Sequence, residues 1–214
     1  MTGMQMPDNA TQWLKLWLYN WGGANIDFFL AIQRHLPDGW LWLPEGLSAL
    51  GSSYWGAPAV VILMLVWQCV RVRDKQSLLS VPLCRFVLGL ALGMTAAALA
   101  KAVFALPRPA VVLGETVYRA VSAPDSLYSM PSGHSVYVGV LAAALWPAVG
   151  WPGRMGLLVF AVAVGWSRIV LGAHFPVDVV VGFALGWACV IAASPLARRV
   201  ARVPLLTRTG RSTS

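Results

Sequence analysis

Apolar residues along this chain come in long blocks with short polar gaps between them. A helix needs about 20 predominantly apolar residues to cross the hydrocarbon layer of a bilayer. Five stretches reach or approach that length: Leu47–Val70, Leu83–Leu106, Ser135–Val149, Met155–Leu171 and Val177–Ser194. The third and fourth are short, and polar residues at their ends can carry each helix into the headgroup layer. Ahead of them, Trp13, Trp17 and Trp21 recur every four residues, with Leu14 and Leu18 on the same side and Lys15 and Tyr19 opposite. That spacing suits a helix lying in the membrane interface. The next run, Ile26 to Leu43, carries Asp27, Arg34, His35 and Asp38, more charge than a spanning helix usually holds. It is either a sixth, polar-lined span or a second interfacial piece. The pattern predicts an all-α polytopic transmembrane bundle, with five spans plus an N-terminal interfacial or sixth spanning element. It reads as one integral-membrane domain over residues 1–214, opening with a Trp-rich region (1–46) and closing with a basic tail (195–214).

Composition agrees with a membrane protein. The chain is 58% hydrophobic and 11% charged, against roughly 45–50% and about 25% in ordinary soluble domains, and its mean hydropathy is +0.67. Its net charge of +8 comes from 16 Lys and Arg against 8 Asp and Glu. In a soluble protein that surplus would suggest nucleic acid, but here it follows the apolar blocks. Arg71, Arg73, Lys75 and Arg85 flank one gap, Arg154 marks another, and Arg198, Arg199, Arg202, Arg208 and Arg211 crowd the C-terminal tail. Such clusters mark cytoplasmic loops, so the bilayer is the expected partner, with no nucleic acid and no obligate protein partner. Cys69, Cys84 and Cys189 form no CxxC pair and read as packing residues. The N-terminus lacks the layout of a cleavable signal.

With those clusters inside, Lys101, Arg108 and Arg168 fall on the outer side, with Arg119 in the loop between. They belong to three polar stretches at one level: KAVFALPRP (Lys101–Pro109), PSGH (Pro131–His134) and SRIVLGAHFPVD (Ser167–Asp178). Singly, each has an ordinary explanation. A basic residue near a helix end is commonly a snorkelling anchor, Ser132 can cap the helix that follows, and His174 with Asp178 can be a structural pair at a helix start. Their convergence is what those explanations leave over. Helix N-termini offer free backbone N–H groups to anions, so Ser132, Gly133 and His134 can add main-chain donors to the guanidinium forks of Arg108 and Arg168 and the point charge of Lys101. This is a kit for a phosphoryl group. His174, with Asp178 one turn on, suits a nucleophile, and His134, with no acidic neighbour in sequence, suits a general acid. A two-metal mechanism needs more carboxylate and histidine ligands than these stretches supply, so no metal or other cofactor is expected, and the three cations would supply the electrostatic stabilisation.

Lys101 and Arg108-Pro109, then Pro131-Ser132-Gly133-His134, then Ser167-Arg168, His174 and Asp178 together resemble the three-part signature of the type 2 phosphatidic acid phosphatase family, with no position missing. The resemblance implies a helical bundle with its active site at the outer membrane surface and metal-independent hydrolysis through a phosphohistidine. By matching position, His174 would be the nucleophile, Asp178 its partner and His134 the leaving-group acid, with Lys101, Arg108, Ser132, Gly133 and Arg168 as the phosphate cage. Soluble vanadium haloperoxidases are similar in these motifs, but the apolar spans argue against that chemistry.

A lipid phosphate or diphosphate taken from the outer leaflet is the expected substrate. The family's range includes polyprenyl diphosphates, phosphatidylglycerol phosphate, phosphatidic acid and the phosphates of lipid A, and undecaprenyl diphosphate is the leading expectation. Selection falls to the Glu115–Tyr128 loop, including Tyr118, Arg119 and Asp125, and to the Trp-rich region as an entrance wall. Two other readings stay open: a phosphotransferase using the same histidine, and a non-enzymatic anion transporter. Expected placement is the bacterial inner membrane, with the site facing outward and the C-terminus cytoplasmic.

Overall fold

A computed structural model describes residues 17, 19–71, 80–120 and 126–202. The expectations for Trp13, Leu14, Lys15, Leu18, Arg73, Lys75, Asp125, Arg208 and Arg211 lie outside the described residues. Eight α-helices follow in order among the described residues: α1 (Ala24–Arg34), α2 (Trp42–Leu50), α3 (Ser53–Arg71), α4 (Val81–Phe104), α5 (Pro109–Leu113), α6 (Gly133–Leu145), α7 (Trp151–Val170) and α8 (Pro176–Val200). Pairing of extended chain is limited, among those residues, to one isolated antiparallel bridge between Pro107 and Tyr128. The chain is an all-helical transmembrane bundle.

Among the described residues, three helices, α4, α7 and α8, are long and apolar enough to cross a membrane unaided. The stretch read as one span from Leu47 breaks at Gly51–Ser52. There Asp38–Leu50 and Ser53–Cys69 meet at 57° and together make a bent fourth candidate. The Ser135–Val149 stretch becomes α6, whose 13 residues reach only roughly 20 Å at about 1.5 Å per residue. It can be short because it is the central helix, with Val136, Val140 and Ala144 wholly buried. The Ile26–Leu43 run breaks at residues 35–37, leaving an 11-residue α1 and no single crossing helix. At the other end, α8 continues through Pro195 to Val200, so the tail expected from residue 195 begins as helix. Arg198 and Arg199 end the apolar pattern but, as good helix formers, do not end the helix. Of the cysteines, Cys84 and Cys189 are buried and Cys69 is exposed.

Helices α6 and α8 form the tightest pair, with α4 packed across both. Glycines set their separation. A Cβ on Gly186 would lie 2.4 Å from the Val136 carbonyl oxygen and 2.9 Å from the Val140 nitrogen, and one on Gly182 would lie 2.8 Å from the Ser132 carbonyl oxygen. Small residues four apart allow this backbone approach in membrane helices. The consequence is local: the Ser132 amide donates to the Asp178 carbonyl at 3.1 Å, so the starts of α6 and α8 lie side by side.

Replacing Gly186 with Ala should therefore force the two backbones apart and cost about 1–3 kcal/mol. Thermal unfolding in detergent will read this as a lower midpoint. Gly156→Ala on α7, where an added Cβ meets nothing within 4 Å, should leave the midpoint unchanged or raise it slightly.

Candidate active site

Each of the three polar stretches is presented by a helix end. Lys101 sits in the last turn of α4, which closes on Ala105 in the left-handed region at φ 48°. Arg108 follows and precedes Pro109, the start of α5. Ser132 is the N-cap of α6, with its Oγ 3.5 Å from the Ser135 amide. Arg168 lies in the last turn of α7, and His174 lies in the turn between α7 and α8. That turn needs Gly172, whose φ is +73° and whose added Cβ would fall 1.9 Å from the Val117 carbonyl oxygen.

The structure brings these residues together. Lys101, Arg108, Gly133, His134, Arg168 and His174 line one cavity of about 690 Å³. Ser132 and Asp178 lie just behind its surface, each wholly buried. Hydrogen bonds hold the cations in place. Lys101 Nζ donates to the Tyr128 carbonyl at 3.0 Å, Arg108 Nε to Ser126 at 2.5 Å, and Arg108 Nη1 to Ala173 at 3.0 Å. Arg168 Nη1 donates to the Ser48 hydroxyl on α2. An added Cβ on Gly133 would meet only Met94 Cε, at 3.9 Å, so the backbone at the start of α6 is open to the cavity.

His174 Nδ1 is 3.6 Å from Asp178 Oδ2 and 3.4 Å from Ser129 Oγ. Asp178 Oδ2 accepts from the Ser129 hydroxyl and from the Phe175 amide at 2.8 Å, which fixes the carboxylate at the first turn of α8. With Nδ1 turned toward Asp178, Nε2 is the ring nitrogen available to a reacting group. Burial pushes His174 well below the ordinary imidazole range, and the charges of Arg108, Arg168 and Lys101 push the same way. That direction favours the neutral ring, the form a nucleophilic imidazole needs. Among the described residues, no three His, Cys, Asp or Glu side chains gather as a metal-ligand set.

Several contributors carry no sequence signal. Ser129 stands two residues before the PSGH turn and reads there as loop; only the fold places its hydroxyl on Asp178. Ser48 is a polar position inside an apolar run, which is a weak hint. Glu45, on the same helix, also lines the cavity. Of the loop residues expected to select substrate, Tyr118 lines the cavity. Arg119 is spent elsewhere, donating to the carbonyls of Gln33 and Leu36 and pairing with Asp38 at 2.6 Å. The cavity's far wall comes from the α2–α3 corner, Ser52 to Trp55. The segment from Tyr19 through α1 instead backs the site, with the Tyr19 and Phe29 rings on Phe175 at 5.9 and 5.2 Å.

Comparison with known proteins decides the family. The PAP2 superfamily profile matches residues 82–202, a stretch that contains all three polar motifs and more than half of the chain. The chain belongs to the PAP2 superfamily. An undecaprenyl-diphosphatase of Sulfolobus acidocaldarius is 30% identical over 165 residues, covering 77% of this chain and 74% of that protein. Phosphatidylglycerophosphatase B of Escherichia coli is 42% identical over 82 residues, but these are 34% of this chain and only 30% of that protein. The crystal structure of a transmembrane PAP2-type phosphatidylglycerolphosphate phosphatase from Bacillus subtilis superposes with a TM-score of 0.66 at 20% identity, covering 89% of this chain and 96% of that one; it supports the fold alone. This PAP2 protein is an enzyme, a membrane lipid phosphatase.

The depressed His174 value has a consequence for stability. Below about pH 6.5 the unfolded imidazole takes up a proton that the buried one refuses, so stability falls as pH drops through that value. Unfolding midpoints measured from pH 8 to pH 5 should fall more for the wild type than for His174→Gln.

Proposed function

We propose that this PAP2 phosphatase hydrolyses the diphosphate of a polyprenyl carrier lipid, best undecaprenyl diphosphate, on the outer face of the membrane. The observation that carries the proposal is His174 in one cavity with Lys101, Arg108, Arg168 and His134. The naming of the Sulfolobus relative, which aligns over most of both chains, supports the choice of lipid.

The lipid lies in the outer leaflet with its terminal phosphoryl between Lys101, Arg108 and Arg168, and the amides at Gly133 and His134 complete the cage; the Ser132 amide, expected to join them, is taken by the Asp178 carbonyl. His174 Nε2 attacks the terminal phosphorus. The P–O bond to the lipid phosphate breaks as a protonated His134 gives its proton to the departing oxygen. Lipid monophosphate leaves and His174 carries the phosphoryl group. His134, now neutral, takes a proton from water as the water oxygen attacks phosphorus, the P–N bond breaks, and inorganic phosphate is released. Asp178 holds the His174 tautomer and balances its positive charge throughout, as carboxylates do in hydrolytic triads. Surplus Arg and Lys in the remaining gaps and the tail support a site on the outer side and a cytoplasmic C-terminus.

Purified protein should be offered undecaprenyl diphosphate, phosphatidylglycerol phosphate, phosphatidic acid and lipid A in the presence of chelator, with inorganic phosphate measured. Undecaprenyl diphosphate should give the highest kcat/KM, and His174→Ala should lower it by at least about a thousandfold. A clear preference for phosphatidylglycerol phosphate would overturn the choice of lipid. Phosphoryl transfer to a second lipid in place of water would overturn the hydrolytic second step. Retained anion uptake by His174→Ala without chemistry would identify a transporter.

A further inference from the structure

One buried group next to the catalytic pair has no part in the mechanism above. The Tyr19 hydroxyl is buried and forms no hydrogen bond in this structure, and the same is true of Asp178 Oδ1, the carboxylate oxygen that Ser129 and Phe175 leave unused. The two groups are neighbours. Tyr19 is close enough to interact with the side chains of both Asp178 and Ser129. Buried polar groups without partners are costly, and here one is a hydroxyl donor and the other an acceptor that carries charge.

Several contacts bring Tyr19 to that position. Its ring packs edge-on against Phe175, the residue after His174. Phe29 packs on the same Phe175 ring from α1. Wholly buried Asn25 accepts from the Val177 amide at 3.1 Å, satisfying a first-turn donor of α8. The segment from Tyr19 to Phe29 thus holds the start of α8 from behind, outside the stretch 82–202 that matches the family profile.

We infer that Tyr19 is a positioning residue for the hydrolytic site, its hydroxyl donating to Asp178 Oδ1 so that Oδ2 stays directed at His174 while that ring turns cationic. This rests on the reading of His174 as nucleophile and Asp178 as its partner. The other charged or titratable groups around the pair are Lys101 on α4, Arg108 before α5, His134 on α6 and Arg168 on α7. Among the described residues, Ser129 on Oδ2 and Tyr19 are the side-chain hydroxyls at this carboxylate. The N-terminal segment therefore completes the hydrogen bonding of the carboxylate as well as packing behind α8.

The test is a double-mutant cycle on the full chain, with kcat and KM measured for the wild type, Tyr19→Phe, Asp178→Asn and the double variant. Tyr19→Phe keeps the ring on Phe175, so its unfolding midpoint should match the wild type. Its kcat should fall roughly tenfold with KM changed less than about twofold, the scale of a lost hydrogen bond to a charged group. In the Asp178→Asn background the same change should have no further effect on kcat. Three results would overturn the inference: kcat unchanged in Tyr19→Phe, an equal fall in both backgrounds, or a fall that tracks a lowered midpoint. If Asp178→Asn itself retained wild-type kcat, the assignment of the catalytic pair would fail instead, so the two failures are distinguishable.

Discussion

The constraint on which the structure depends is the burial of an imidazole and a carboxylate at the start of α8, within reach of three cations. Ionisable groups in a poorly solvated setting are costly unless hydrogen-bonded and charge-balanced. Here Asp178 is wholly buried and receives hydrogen bonds from Ser129 and the Phe175 amide. Lys101 and Arg108 are held by carbonyls of the loops around the cavity, and Arg168 by the Ser48 hydroxyl. Those bonds keep Lys101 and Arg108 in place whether or not an anion is bound, so little reorganisation falls on the reacting complex.

The helical frame serves that arrangement. Close backbone contact at Gly182 and Gly186 puts the N-terminus of α6 beside that of α8, which puts His134 and its free amides opposite His174. The tight turn at Gly172 brings the chain from Arg168 back to His174, and the amides of Ala173 and His174 both donate to the Arg168 carbonyl. Each feature is a packing requirement of a few residues, and together they fix the direction of one imidazole. The bend at Gly51–Ser52 does the complementary job of setting the α2–α3 corner across the cavity from the motifs, with Ser48 reaching Arg168.

The residues that line the cavity were legible because polar groups in a strongly apolar sequence have few structural uses, and Lys101, Arg108, His134, Arg168 and His174 stood out against that background. Helix interruptions were less legible. Leu47–Val70 is mostly apolar, and averaged hydropathy does not register the 57° bend at its Gly51–Ser52 break. The helical state of residues 195–200 was hidden by Arg198 and Arg199, which mark the end of an apolar span but favour helix. Least legible was the N-terminal segment. Trp17 and Trp21 are exposed, and nothing local says that Tyr19 and Phe29 meet Phe175 some 150 residues away. Ser129 was silent for the same reason, since its value lies in a contact with Asp178 49 positions on.

The central claim is that the phosphoryl group passes through the His174 ring. Undecaprenyl diphosphate labelled at its terminal phosphorus, mixed with enzyme and quenched in alkali within milliseconds, tests it directly. Peptide mapping should find an alkali-stable, acid-labile label on the peptide holding His174, appearing before free phosphate and absent from His174→Ala. Labelled phosphate released at full rate with no protein-bound label, or label on any other residue, would contradict the account.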